Sequence, residues 1–175
     1  MRKFEILLVS LCFILNNTKI SAEGIKPEEI FNNWSAYECF TASGAIKMDA
    51  FKNGEKLSKV SREKGRFYIQ MQPESSEKFE VTYFAGFPLK VASQAVLKID
   101  NSQIFLLYTH PKPQNSQEKS YAWSHPNDDG KLIKALKKGS KAEIETNSHT
   151  GKVIKDTFAL SGFTSAYNFM KNSCK

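Results

Sequence analysis

Three histidines are the side chains best suited to chemistry in this 175-residue sequence: His110, His125 and His149. His110 and His125 each precede a proline, and His149 lies at a predicted hairpin turn. No two of them have the i, i+4 spacing of a helical zinc site. Because imidazole and carboxylate groups both bind metals, His110, His125 and Asp128 could assemble a metal site in space. The pattern favours exposed loop histidines instead, and neither a metal nor another cofactor is predicted.

Nucleophile motifs are equally weak. Serine is followed three residues later by lysine at Ser61, Ser75 and Ser116. A Ser–Lys nucleophile needs a buried, deprotonated lysine, whereas all three lie in polar, lysine-rich stretches. The sequence has no Gly-x-Ser-x-Gly elbow and no glycine-rich phosphate loop. It therefore favours a non-enzymatic protein. The alternatives are an exported hydrolase that uses loop His and Asp residues, or a small-ligand or metal carrier.

Aromatic and basic residues indicate binding. Residues 110–120 contain two prolines and no large apolar side chain, which predicts an exposed loop. Aromatic residues flank this loop, and recognition residues often lie where loops meet a rigid frame. About half of the aromatic side chains on alternating strands must point inward, so only some are free to bind. The predicted binding edge joins loop-flanking aromatics to the lysines of a following helix: Tyr108, Tyr121, Trp123, Lys131, Lys134 and Lys138.

The N-terminal residues predict export. Arg2 and Lys3 precede a short apolar run at residues 7–15, and Ala22 ends a small-residue cleavage site. This layout is typical of a secretory signal peptide at residues 1–22, and the run is too short for a membrane anchor. We therefore expect a mature protein without a transmembrane segment, in the periplasm or on the outer cell surface.

The charge of the chain bears on its partners. The net charge is +7, of which the leader contributes +2. A basic exported domain is attracted to anionic surfaces. The predicted partner is therefore a component of the envelope or of a host surface, and an anionic partner is one of the expected kinds. Zinc-ligand spacing and ribonucleoprotein motifs are absent from the sequence, so nucleic acid is not predicted as a partner.

The pattern of strands predicts the fold class. Residues 23–33 are predicted to form a polar N-terminal segment, separate from the signal peptide, with one helical turn after Pro27. Residues 34–175 are predicted to form a single domain. Short alternating strands recur, with hairpins around residues 101–102 and 149–151. The predicted fold is mainly β, an antiparallel β-sandwich or open barrel with two short α-helices.

Local signals set the expected element ends. Residues 34–40 are predicted as one strand. Asp128 or Asp129 is expected to cap a helix that ends at Gly139, and Thr164 or Ser165 to cap the last helix. In the first of these helices, one side is apolar and is expected to be buried: Leu132, Ile133 and Leu136.

Two cysteines remain after cleavage of the leader, Cys39 and Cys174. In an oxidising compartment they most simply form one disulfide, which would join an early strand to the C-terminal residues. A free catalytic thiol is the alternative, but neither cysteine has an activating histidine nearby in the sequence.

The sequence contains an ordered set of short segments: an early Trp and Cys, then Gly86-Phe87-Pro88, Ala122-Trp123, Ser148-His149-Thr150-Gly151 and Asp156-Thr157-Phe158. This set resembles the invasion-associated locus B family of exported alphaproteobacterial proteins. The resemblance spans nearly all of the mature chain and implies an envelope protein with a signal peptide. It implies no catalytic activity, cofactor or active-site residues. The family name comes from a role in host-cell entry, and the resemblance alone does not assign that role to this chain.

Overall fold

The computed structural model describes residues 26–72, 75–100 and 102–174, so the predicted signal peptide at residues 1–22 lies outside the described residues. Within these ranges the chain forms twelve strands and two α-helices. The strands are β1 (Glu29–Phe31), β2 (Trp34–Ala36), β3 (Phe40–Gly44), β4 (Lys47–Lys52), β5 (Glu55–Lys56), β6 (Arg66–Gln72), β7 (Ser75–Phe84), β8 (Gln94–Ile99), β9 (Gln103–Thr109), β10 (Tyr121–Ser124), β11 (Lys141–Asn147) and β12 (Val153–Ala159). The helices are α1 (Pro126–Lys138) and α2 (Phe163–Ser173).

All the strands belong to one antiparallel sheet in the order β1-β2-β3-β6-β7-β10-β9-β8-β11-β12-β4-β5. β3 and β4 follow each other in the chain, yet β3 pairs with β6 and β4 pairs with β12. The chain crosses between the two halves where Ala45 N donates to Gly65 O and Ile46 N donates to Thr157 O, each at 2.8 Å. The sheet therefore curls around the core without closing. The predicted mainly β, antiparallel class with two helices is confirmed.

Alternation along the strands fills the concave side of the sheet. On β6 and β7, Phe67, Ile69, Val81 and Tyr83 are all fully buried. Both helices lie on this side, where the Phe79 and Tyr167 ring centroids are 5.3 Å apart. The predicted apolar side of α1 is buried as expected: Leu132, Ile133 and Leu136. The helices thus cover the core, and the convex side of the sheet faces solvent.

Both predicted hairpins are present. β8 pairs with β9 and β11 pairs with β12. In the second hairpin Gly151 has φ +76°, a left-handed conformation that glycine adopts without steric cost. Its N–H donates to Ser148 O at 3.1 Å, which closes the turn.

The start of α1 differs from the prediction. The helix begins at Pro126, and the His125 Nδ1 atom caps it by accepting from Asn127 N at 3.2 Å. Proline is favoured at the first helical position, so the helix starts before Asp128 and Asp129, which lie in its first turn and are not its cap. The predicted end at Gly139 is confirmed.

The start of α2 also differs, because a close contact decides it. Gly162 precedes the helix with φ +90°, and a Cβ atom there would lie 1.9 Å from Phe31 O. Only glycine fits this approach of β1 to the helix start. Thr164, one of the two predicted caps, instead donates its hydroxyl to Lys137 O at 3.3 Å and so ties α2 to α1.

The N-terminal region contains two further corrections. The helical turn predicted after Pro27 is replaced by strand β1, because Glu29–Phe31 pairs with Trp34–Ala36. The single strand predicted at residues 34–40 is broken by a turn, in which Tyr37 N donates to Phe40 O at 2.9 Å. Alternation alone did not distinguish a continuous strand from this tight hairpin.

The predicted disulfide is present between Cys39 and Cys174, whose Cα atoms are 4.6 Å apart. Cys39 lies in the β2–β3 turn and Cys174 directly follows α2. The bond closes a separation of 135 residues and joins the β2–β3 turn to the C-terminal end of the described chain.

Candidate functional site

Aromatic side chains align across the convex side of the sheet. Tyr68 on β6 is opposite Thr82 on β7, Thr82 is opposite Trp123 on β10, and Trp123 is opposite Tyr108 on β9. Residues directly opposite in antiparallel strands project from the same face. A second row beside the first contains Arg66, Phe84 and Tyr121. We call the five aromatic residues of these rows the aromatic face: Tyr68, Phe84, Tyr108, Tyr121 and Trp123.

The rings of the aromatic face contact one another. The Phe84 and Tyr121 centroids are 5.0 Å apart, and the Tyr121 and Trp123 centroids are 5.9 Å apart with planes inclined by 28°. Tyr108 is 39% exposed, and the other four are partly exposed. Such side chains offer a large apolar area with polar edges at little entropic cost on binding. This part of the sheet can therefore stack against a ligand or a partner.

A shallow depression of about 180 Å³ extends the aromatic face toward β2. Its floor is low because Ala42 on β3 is opposite Tyr68, while the Tyr37 and Phe40 rings stack at 4.1 Å beyond it. Burial raises the pKa of Tyr68, and a hydrogen bond with Arg66 partly offsets this rise. The Tyr68 phenol therefore keeps its proton and can donate a hydrogen bond to a ligand.

The loop at residues 110–120 borders the aromatic face on its other side. Glu118 orders it by accepting from Gln114 N at 2.7 Å and from the Asn115 amide at 2.9 Å. A short 3-10 helix at Glu118–Ser120 then leads into β10. Asn115 and Glu118 thus line a depression with Tyr121 and Trp123, where amide and carboxylate groups lie beside two rings.

The rest of the convex side has a different character. Strands β4, β11 and β12 carry ion pairs there, with Lys155 Nζ 2.9 Å from Glu145 and Lys56 Nζ 2.7 Å from Asp49. Ion pairs of this kind are common on protein surfaces and do not by themselves indicate a binding site. The aromatic face is therefore a local feature of the sheet and not a general property of its outer side.

The histidines considered for a metal site have separate local roles. His125 caps α1, and the His110 Nδ1 atom accepts from Lys112 N at 3.1 Å. Within residues 26–72, 75–100 and 102–174, no group of three His, Cys, Asp or Glu side chains is placed to hold a metal ion. His110, His125 and Asp128 are therefore not brought together.

The lysines of the predicted binding edge lie apart from the aromatic face. Lys131, Lys134 and Lys138 are exposed on α1. Lys134 lines a groove together with Phe79, on the concave side of the sheet. Phe79 and Phe84 lie five residues apart on β7 and therefore face opposite sides. The aromatic and basic parts of the predicted edge thus form two surfaces.

A buried ionic network was not predicted. The Arg62 guanidinium pairs with both Asp156 carboxylate oxygens, with Nη1 2.8 Å from Oδ2, and the Tyr83 hydroxyl donates to Oδ2 at 2.7 Å. Burial, followed by the Asp156 charge, raises the pKa of Tyr83 well above its usual value, so the phenol remains a donor. Arg62 also donates to Ala85 O at 2.8 Å. The network joins the segment before β6 to strands β7 and β12, which is a structural role.

A second buried carboxyl predicts a pH effect. Ser124 Oγ lies within hydrogen-bond distance of Asp129 and 3.2 Å from Val81 O, but it has one proton to donate. Burial raises the pKa of Asp129 above 3.8, the charges of Glu80 and Asp128 raise it further, and the Ser124 bond opposes the rise. A folded pKa above the unfolded one means that protonation favours folding. This contribution is present below about pH 3.8 and is lost as the pH rises through the folded pKa.

We therefore expect Asp129→Asn to raise the free energy of unfolding at pH 7 by up to about 1 kcal/mol. The amide would donate to Ser124, which would free the hydroxyl for Val81 O. Urea unfolding between pH 3 and pH 8 measures this effect, and the variant should show a flatter profile. Asp128→Asn removes the same charge from the same helix turn as a control and should destabilise slightly. A loss of stability at pH 7 in Asp129→Asn would contradict the conclusion that the buried Asp129 charge destabilises the fold.

Neither helix in the described part of the chain has both the length and the apolar character needed to cross a membrane.

Comparisons with known proteins assign the family. The fold is similar to the crystal structure of invasion associated protein b from Bartonella henselae, with a TM-score of 0.55 and 12% identity over 81% of this chain and 94% of that one. No curated protein matches significantly. The model of the invasion associated locus B (IalB) protein family matches residues 59–171, so the chain belongs to the invasion associated locus B family.

Proposed function

We propose that this protein is exported and acts as a non-enzymatic binding protein of the cell envelope, with the aromatic face as its recognition surface. The partner is a component of the envelope or of a host surface. The alignment of five aromatic side chains across four adjacent strands is the observation that carries this proposal.

The composition of the surface supports recognition. Tyr, Trp and Arg are enriched where protein interfaces derive most of their binding energy. Here Arg66 and the five rings occupy one half of the convex side, while ion pairs occupy the other half. The two depressions beside the rings add hydroxyl, amide and carboxylate groups that can fix the orientation of a partner.

The disulfide supports export. Bonds of this kind persist in oxidising compartments and are rare where glutathione keeps thiols reduced. Cys39 and Cys174 are bonded across a separation of 135 residues. Together with the leader-like residues 1–22, this favours folding outside the cytoplasm. Recovery of the uncut chain from the cytosol with both thiols reduced would contradict this part of the proposal.

The hydrolase alternative receives no geometric support from the residues considered for it. His110 accepts a hydrogen bond within its own loop, and His125 accepts one within the first turn of α1. Among the described residues, His110, His125 and Asp128 do not gather around one point. An acid–base site needs its groups to converge on one reacting atom.

Site-specific photo-crosslinking in intact producing cells tests the recognition surface. A crosslinker in place of Tyr121 is expected to capture one reproducible species, and the pair Tyr108→Ser and Trp123→Ser should reduce this capture at least about tenfold, because truncated interface aromatics commonly cost 2 kcal/mol or more. Phe51 is a matched control, since it is a partly exposed aromatic in the ion-paired half. Equal capture from positions 51 and 121, or capture unchanged by the double substitution in a folded protein, would contradict the proposal.

A further inference from the structure

We propose that the groove between α1, α2 and β7 binds an anionic phospholipid, with the phosphate on its lysines and the apolar part on its floor. The groove is lined by Lys78, Phe79, Ile133, Lys134, Lys137 and Tyr167 and has a volume of about 350 Å³, at the lower end of the range for small-molecule sites. It lies on the concave side of the sheet, so this proposal does not depend on the aromatic face.

The floor of the groove is apolar and well supported. The partly exposed Phe79 ring forms its open surface and packs against the Tyr167 ring, while Ile133 and Tyr167, each 5% exposed, anchor the floor to the hydrophobic core. These side chains are held by two helices and a strand, so the floor needs no rearrangement to receive an apolar group. An acyl chain or a glycerol backbone can lie on it.

The rim of the groove has an excess of positive charge. Lys78, Lys134 and Lys137 line it, and Lys171 is close enough to Lys137 to disfavour its charge. Among the described residues, no carboxylate lies within ion-pair distance of any of these four lysines. Asp129 also lines the groove and is bonded to the Ser124 hydroxyl, so three lysines outnumber one carboxyl group among the lining residues.

Lys137 is the best-placed cation. Its Nζ atom lies 3.8 Å from the centroid of the Tyr167 ring, so it is fixed above the floor. Burial, followed by the charge of Lys171, lowers its pKa. A bound anion would offset the repulsion between Lys137 and Lys171 and part of the cost of burying the Lys137 charge. Lysine ammonium groups commonly bind phosphate in this way, as point charges.

The combination of features selects the ligand. Free inorganic phosphate would satisfy the lysines but leave the exposed part of the Phe79 ring in contact with water. A zwitterionic choline headgroup would bring a second cation toward a cationic rim. An anionic phospholipid satisfies both parts, and such lipids are available to a protein of the envelope.

Isothermal titration of the full mature protein with monomeric lysophosphatidylglycerol tests the proposal, with lysophosphatidylcholine and glycerol 3-phosphate as comparison ligands. We expect lysophosphatidylglycerol to bind at least tenfold more tightly than either. The pair Lys134→Gln and Lys137→Gln should weaken it at least tenfold. Lys131→Gln with Lys138→Gln removes the same charge from the same helix outside the groove and should change the affinity less than twofold.

The outcomes separate the sources of binding. Equal losses in the two lysine pairs would mean diffuse attraction to the helix and would overturn the site. Equal binding of the choline lipid would mean apolar association alone, and equal binding of glycerol 3-phosphate would mean a free phosphate site. Because Lys137 contacts Tyr167, Lys134→Gln is also measured alone, and weakening in that folded variant supports the site. Substitutions on the aromatic face should leave lipid affinity unchanged.

Discussion

Replacing Asp156 with alanine is expected to lower the free energy of unfolding by about 3–5 kcal/mol, because it leaves a buried guanidinium without its counterion. The Arg62 and Asp156 side chains are 2% and 0% exposed, so water cannot replace the lost partner. Burial opposes the charge of Arg62, but in the parent protein the hydrogen bond and charge of Asp156 outweigh burial and raise the pKa of Arg62. The variant loses this support, while its guanidinium still carries a charge. The Tyr83 hydroxyl loses its acceptor at the same time.

The surroundings give this pair no room to relax. A Cβ atom on Gly65 would lie 2.1 Å from Asp156 Oδ2, so the segment before β6 passes directly over the carboxylate. A loss of 3–5 kcal/mol is a large part of the 5–15 kcal/mol typical of a domain. We therefore expect Asp156→Ala to populate unfolded chain under mild conditions that leave the parent protein native.

Urea unfolding at pH 7 with the disulfide intact measures the effect, and two controls define its cause. Asp49→Ala removes a carboxylate from exposed lysine pairs on β4 and should cost less than about 1 kcal/mol. Replacing both partners, Arg62→Met with Asp156→Leu, should be less harmful than Asp156→Ala alone, because no charge is left buried. A loss below about 1 kcal/mol in Asp156→Ala would show that Arg62 finds other solvation.

The same pair shows where sequence reasoning stops. The sequence predicts the hairpin that contains β12 but does not assign its inward side chains, and the structure places Asp156 in the core between Ile154 and Phe158. A carboxylate at an inward position signals a buried partner. The partner itself is not predictable, because Arg62 lies in a segment without periodicity, 94 residues away. The start of α2 was missed for a related reason: Gly162 precedes the helix because of its close approach to Phe31, which only the folded chain reveals.

The aromatic face was partly predictable. Tyr108, Tyr121 and Trp123 flank a loop that is recognisable from its prolines, and the hairpins fix their neighbours. Tyr68 and Phe84 lie beside them only because β6 pairs with β7 and β7 pairs with β10. The sequence does not predict the second of these pairings, because a long connection separates β7 from β10. Conversely, the lysines of α1 were grouped with these aromatics because they are close in sequence. The sheet separates them, since the helix packs on the concave side.

Removing the disulfide is expected to lower the free energy of unfolding by up to about 4–5 kcal/mol, since the bond closes a loop of 135 residues in the unfolded chain. The loop-closure entropy acts on the unfolded state, so the folded protein should change little. Cys39 O still accepts from Met71 N at 2.9 Å, and α2 remains packed through Phe163 and Tyr167. Cys39→Ser with Cys174→Ser is compared with the parent protein by urea unfolding and by amide hydrogen exchange.

The exchange pattern distinguishes two ways in which the bond can act. If it constrains the unfolded state, protection should fall for the most protected amides of β6 and β7 by the full change in free energy, while the last turn of α2 keeps its relative protection. If the bond instead holds α2 in place, amides near Met170 should exchange faster than global unfolding allows, and the loss of global stability should be small. The packing of α2 against Trp34, with ring centroids of Trp34 and Phe163 4.8 Å apart, favours the first result. A double variant as stable as the parent would contradict both.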